Sequence, residues 1–128
     1  MPTHPEPDPS QLLPLTPLSL AILLALAEGD LHGYAIIKEV GRQTERQLNV
    51  GTGSLYAALQ RMRDDALITE SPDAPPAGAD ARRRYYRLTP FGREVARQET
   101  LRMARVLAVA REKRIAPEAG LPLRPAEG

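Results

Sequence analysis

Asn49-Val50-Gly51-Thr52-Gly53-Ser54-Leu55-Tyr56-Ala57-Ala58-Leu59-Gln60-Arg61-Met62-Arg63 is the stretch from which the fold can be read. A helix opening near Thr52 puts Leu55, Leu59 and Met62 on one stripe at i, i+4 and i+7, and that side packs inward. Ser54, Ala57, Gln60, Arg61 and Asp64 fall on the opposite side, with Tyr56 and Arg63 on the flanks. Small residues at the start and long hydrogen-bonding ones behind them suit a helix whose N-terminal half enters a major groove. An ordinary surface helix with a solvated face shows the same pattern. The neighbouring segments decide between the two.

Upstream, Thr16-Pro17 reads as a helix start, threonine at the cap and proline at the first helical position. Leu18 to Ala27 is apolar on nearly every side, which makes this helix central to the core. Gly29 ends it, with a left-handed C-terminal residue allowed there. A second helix is expected over about Tyr34 to Arg46, with Tyr34, Ile36, Ile37 and Val40 inward; His32 caps it or turns the chain before it. Leu48-Asn49-Val50-Gly51 joins it tightly to the opening stretch. Two helices so joined make a helix-turn-helix candidate.

Downstream, Leu67-Ile68-Thr69-Glu70 and Arg83-Arg84-Tyr85-Tyr86-Arg87-Leu88 read as two strands of a hairpin. Pro72, Pro75, Pro76 and Gly78 make its tip long and mobile. Three helices followed by a basic-sided hairpin is the order of a winged helix. Thr89-Pro90 then opens a last helix to about Arg114, roughly 36 Å long. Leu101, Met103, Ala104, Val106, Leu107, Ala108 and Ala110 cover about two thirds of its circumference, where one packed side needs little more than a third. The excess needs a second cover, which a symmetric partner supplies. The fold class is mainly α with a small β-hairpin. Residues 1–14 read as a disordered tail, 15–90 as a winged-helix domain, 91–115 as a dimerisation helix and 116–128 as a second disordered tail.

Composition narrows the function classes. The chain has 128 residues and no cysteine, which excludes disulfides and thiolate metal sites and fits a reducing cytoplasm. Neither His4 nor His32 has a partner at ligand spacing, so no metal or other cofactor is expected. The longest apolar run, Leu18 to Ala27, is well short of the ~20 residues needed to span a membrane. Met1 to Pro5 has no basic region and does not read as a signal peptide. The net charge of +1 hides an asymmetry: residues 1–80 carry five basic and eleven acidic side chains, residues 81–114 eleven basic and three acidic. Such a split points to a local polyanion-binding surface, unless the two regions simply pair with each other.

Four landmarks in this order resemble the PadR family of bacterial transcriptional regulators. They are Leu31-His32-Gly33-Tyr34-Ala35-Ile36, Gly53-Ser54-Leu55-Tyr56-Ala57-Ala58-Leu59, Asp64-Asp65-Ala66-Leu67-Ile68, and Arg83-Arg84-Tyr85-Tyr86-Arg87-Leu88-Thr89-Pro90-Phe91-Gly92. Two positions depart from the family pattern: Thr52 stands where proline is usual, and Ala66 where glycine is usual, which disfavours a left-handed turn at Ala66. The single C-terminal helix matches the shorter members. The resemblance implies a repressor that binds double-stranded DNA as a homodimer.

On that reading Ser54, Gln60 and Arg61 reach base edges, Gln matching adenine and Arg guanine. Thr52 opens the recognition helix, and Tyr56 and Arg63 lie against phosphates. The wing grips the backbone through Arg82, Arg83, Arg84 and Arg87. Leu101, Ala104, Val106, Leu107 and Ala108 form the dimer interface. Some relatives bind flat aromatic effectors between subunits; here tryptophan is absent and only Phe91 and four tyrosines could stack, so no ligand is identified. The competing class, a winged-helix protein-interaction module without DNA binding, calls for an acidic or apolar recognition surface, whereas this one is neutral to basic. An enzyme is not indicated. There is no nucleophile–base set or carboxylate pair in a usable context, and Gly51-Thr52-Gly53 lacks the remaining glycine and the preceding strand of a phosphate loop.

Overall fold

Thr16-Pro17 and Thr89-Pro90 do open two helices in the same way. The computed structural model describes residues 8–48, 50–71 and 84–118. The Thr16 hydroxyl accepts from the Ser19 N–H at 3.0 Å, starting α1 (Pro17–Ala25), and the Thr89 hydroxyl accepts from the Gly92 N–H at 2.8 Å, starting α4 (Pro90–Glu112). Between them lie α2 (Gly33–Gln43), capped by His32 Nδ1 accepting from the Ala35 N–H at 3.2 Å, and α3 (Thr52–Asp64). Ile22 and Leu23 of α1, Ile36 and Val40 of α2, Leu55, Ala58, Leu59 and Met62 of α3, and Val95 of α4 close one core. The stripe read from residues 55 to 62 is therefore the inward side of α3.

Two expectations about α2 are corrected. It stops at Gln43, three residues before Arg46, because Glu45 and Arg46 take positive φ values of 51° and 67°. The Glu45 and Arg46 N–H groups turn back onto the carbonyls of Arg42 and Gly41 and so satisfy the helix end. Tyr34 does not face inward; it is 62% exposed. Gly29 is extended, at φ 159°, rather than in the left-handed helical region.

The end of α3 uses the same device and overturns the reading of Ala66. That residue sits at φ 63°, the left-handed conformation a glycine would take freely, although it carries a Cβ. The Ala66 N–H reaches the Arg63 carbonyl and the Leu67 N–H the Met62 carbonyl, at 3.0 and 2.9 Å. Leu67 and Met62, the two positions between which a hydrophobic contact accompanies this cap, are both buried in the core. Tertiary packing outweighs a local cost of about 1–2 kcal/mol. Ala66→Gly should accordingly stabilise the fold, by about 0.5–1 kcal/mol once the freer unfolded chain is set against the relief. A denaturant midpoint measures this, and a lower midpoint in the variant would contradict it.

Three antiparallel strands form one sheet in the order β1-β3-β2: β1 (Leu31–His32), β2 (Ile68–Glu70) and β3 (Tyr85–Leu88). Ile68 pairs with Leu88, Thr69 with Arg87 and Glu70 with Tyr86. On the other side Leu31 pairs with Tyr86 and His32 with Tyr85. The hairpin thus leans on the start of α2 through a third strand that two residues of sequence do not announce. The strand expected from Arg83 begins at Tyr85, and the expected mobile tip lies outside the described residues.

Residues of the leading segment also differ from expectation. Pro9–Leu12 form a 3₁₀ helix against α4, with the Asp8 carboxylate accepting from the Ser10 N–H. Leu12, Leu13 and Leu15 pack against the core. The anchor is Glu99, an acid of α4 only 2% exposed: one oxygen accepts from the Leu15 N–H at 2.9 Å, and both meet Arg102, at 2.6 and 3.1 Å. The Arg102 guanidinium holds the Glu99 carboxyl below the usual range, against the opposing effect of burial.

Candidate nucleic-acid interface

With Leu55, Ala58, Leu59 and Met62 turned inward, Thr52, Gly53, Ser54, Tyr56, Ala57, Gln60, Arg61 and Asp64 of α3 are exposed. The helix is capped by Gly51 without a side-chain hydrogen bond, and its first turn carries no acidic residue to offset the positive end of its dipole. A single face nevertheless does not hold all the residues named from the sequence. Thr52, Ser54 and Gln60 are exposed along the helix, and Gln60 Nε2 donates to Asp64 Oδ1 at 3.0 Å. Arg61 sits on the flank toward α1, in a cleft with Leu12, Ser19 and Asp65. Tyr56 and Arg63 occupy the other flank. A Cβ on Gly33 would stand 2.5 Å from the Tyr56 hydroxyl, so the missing side chain lets Tyr56 lie against the start of α2.

Arg63 faces the hairpin. Its guanidinium is 3.4 Å from Glu70, which also lies 3.8 Å from exposed Arg84. One β2 carboxylate therefore ties the recognition helix to the base of the wing. Both are partly exposed pairs of small net worth, which leaves the two arginines available to a phosphate. Arg87 differs from its neighbours: it donates to both oxygens of Asp30, at 3.1 and 2.8 Å, and the guanidinium holds that carboxyl below its usual range. It braces the turn before β1 against β3. Arg82 and Arg83 lie outside the described residues.

The expected interface residues of α4 divide in a similar way. Leu101, Ala104, Val106 and Ala108 are exposed, Leu101 at 45% and Val106 at 56%, while Leu107 is half-buried. Met103 and Val109 join the exposed apolar set. The sequence did not single out Leu24: α1 is apolar on nearly every side and central to the core, yet Leu24 is 43% exposed and lines two grooves between α1 and α4. An apolar run long enough to bury everywhere carries no mark of which residue turns outward. Among the described residues no His, Cys, Asp and Glu group could hold a metal, and no helix is long and apolar enough to cross a membrane.

A winged helix with an exposed recognition edge has counterparts among known proteins. The pattern of the transcriptional regulator PadR-like family matches residues 22–98. The chain belongs to the PadR family. PadR-family proteins of known structure share its architecture: one from Clostridium difficile is 27% identical with a TM-score of 0.63, covering 77% of this chain and 98% of that one. A transcriptional regulator from Clostridium thermocellum is 28% identical with a TM-score of 0.61, covering 74% and 87%. An uncharacterised 37.1 kDa protein in a transposon of Streptomyces fradiae is 39% identical over 87 residues, 68% of this chain. This PadR-family chain spans only 23% of that relative's length. As a family member it is a DNA-binding transcriptional regulator, built mostly of helices with a small antiparallel sheet.

Proposed function

We propose that this PadR-family protein is a homodimeric, sequence-specific repressor of the cytoplasm, without enzymatic activity or cofactor, that acts on an inverted-repeat operator. The observation that carries the reading is the exposed edge of α3. Gln60 stands there opposite the buried stripe, and Thr52 and Ser54 are exposed in the first turn of the same helix, whose inner side is locked into the core. Rigid placement is what base reading requires. Arg82, Arg83 and Arg84, which precede β3 in the sequence, supply the grip on phosphates; Arg61, Tyr56 and Arg63 flank the groove.

Dimerisation is supported by the apolar surface left uncovered in the single chain, from Leu101 to Val109 on α4 with Leu24 on α1. Exposed positions along one helix are too many for a monomer to leave in water without cause. Light scattering of the purified chain at micromolar concentration should give a dimer. Leu101→Asp with Val106→Asp, both exposed in one subunit, should weaken the dimer at least about 100-fold by burying unpaired charge, with helix content unchanged. A monomeric wild type would refute the proposed assembly.

A further inference from the structure

Asp64 is an acid on the solvent face of a helix read here as entering DNA, where a carboxylate repels phosphates. It forms no ion pair among the described residues; its side-chain contact is the hydrogen bond it accepts from Gln60 Nε2 at 3.0 Å. The two residues lie one turn apart, opposite the buried stripe of α3. A carboxamide presents a carbonyl and one N–H along its outer edge and keeps a second N–H at the side. The carboxylate accepts that second N–H. With the amide turned over, Oε1 would face Asp64 Oδ1, acceptor against acceptor, and the donor and acceptor on the outer edge would change places.

We infer that Asp64 is a positioning residue for base recognition: it fixes the order of donor and acceptor that Gln60 presents to the major groove. The inference rests on the proposed reading of DNA by α3 and goes further, because it assigns the discrimination at one base pair to a residue that touches no base. Adenine offers its N6 amino group as donor and N7 as acceptor, and a glutamine edge matches both. An amide with a free choice of orientation meets this pair from either strand. An amide held by Asp64 meets it in one order only, so the protein separates A·T from T·A at that step. The cost is a negative charge near the backbone, which opposes binding to any sequence.

The test is selection from a randomised duplex library by the full chain, for wild type, Gln60→Ala, Asp64→Ala and Asp64→Asn, with circular dichroism and thermal midpoints alongside. The Asp64→Asn change keeps an acceptor but adds a donor for a turned-over amide, so it too releases Gln60. Both Asp64 variants should keep helix content and midpoint, and bind random duplex as tightly as wild type or more so. Both should lose roughly tenfold in the preference between A·T and T·A at one position per half-site, the same position that Gln60→Ala flattens. If Gln60→Ala loses a base position that both Asp64 variants retain, the inference fails and the reading of DNA by α3 stands. If Asp64 variants change only overall affinity, Asp64 is a surface charge and the inference fails. If wild type enriches no sequence, the proposed reading fails and takes the inference with it.

Discussion

Gly92→Ala is expected to lower the thermal midpoint by about 12 °C or more, from a cost of about 3 kcal/mol in a fold of this size. A Cβ at Gly92 would stand 2.0 Å from the Leu67 carbonyl oxygen and 2.9 Å from its carbon, both backbone atoms that cannot rotate away. The first turn of α4 is pressed onto the entry to β2 at this point. The Thr89 hydroxyl lies 2.7 Å from the Ala66 carbonyl and 3.0 Å from that of Leu67, and the Thr89 N–H donates to Leu67 at 3.2 Å. Moving α4 outward to admit a methyl group breaks those bonds together with the packing of Val95. Gly53→Ala is the control: nothing lies within 4 Å of its Cβ position, so the same change in the first turn of α3 should leave the midpoint within a few degrees. Equal midpoints for Gly92→Ala and wild type would mean that α4 and β2 are not in the contact described.

The second large effect concerns DNA affinity. Arg82→Ala, Arg83→Ala and Arg84→Ala combined remove up to three phosphate contacts per subunit and six per dimer. Each contact contributes roughly −0.9 to the slope of log K against log salt, so the slope should flatten by several units. Specific and random duplex should lose affinity alike, because a long flexible side chain follows a phosphate more readily than it fixes a base edge. Arg87→Ala should behave in the opposite way. Arg87 donates two hydrogen bonds to Asp30, so its loss should lower stability and leave the salt slope nearly unchanged. A triple variant that keeps its slope while its base preference shifts would reverse the roles given to wing and helix.

How much of this was legible in the sequence follows from which forces act locally. The two Thr-Pro caps announced α1 and α4, because capping is decided within four residues. Leu55, Leu59 and Met62 announced the inward side of α3, because periodicity is a local pattern. The remainder depends on contacts between distant segments. Strand β1 is two residues long and has no period to read. Prolines at 9 and 14 suggested disorder, whereas Leu15 is held by Glu99, 84 residues away. Glu99 resembles any acid on an exposed helix until that partner is known. Ala66 argued against a left-handed turn, and one forms there with Leu67 buried in the core and its N–H on the Met62 carbonyl.

The recognition site divides along the same line. Exposure of Ser54 and Gln60 follows from helical spacing alone. The diversion of Arg61 toward α1, of Arg63 toward Glu70 and of Arg87 onto Asp30 depends on where other elements lie, and residue type gives no hint of it. Of the basic residues grouped in sequence, Arg84 alone among the described residues remains exposed at the base of the wing, in loose contact with Glu70.

In the proposed dimer two recognition helices, related by a two-fold axis, read successive major grooves. Footprinting the full chain at single-nucleotide resolution, on fragments it selects from genomic DNA, tests this arrangement. Two protected half-sites in inverted orientation are expected, their centres about 10 bp apart or a multiple of that. A single asymmetric half-site, or protection that does not depend on sequence, would contradict it.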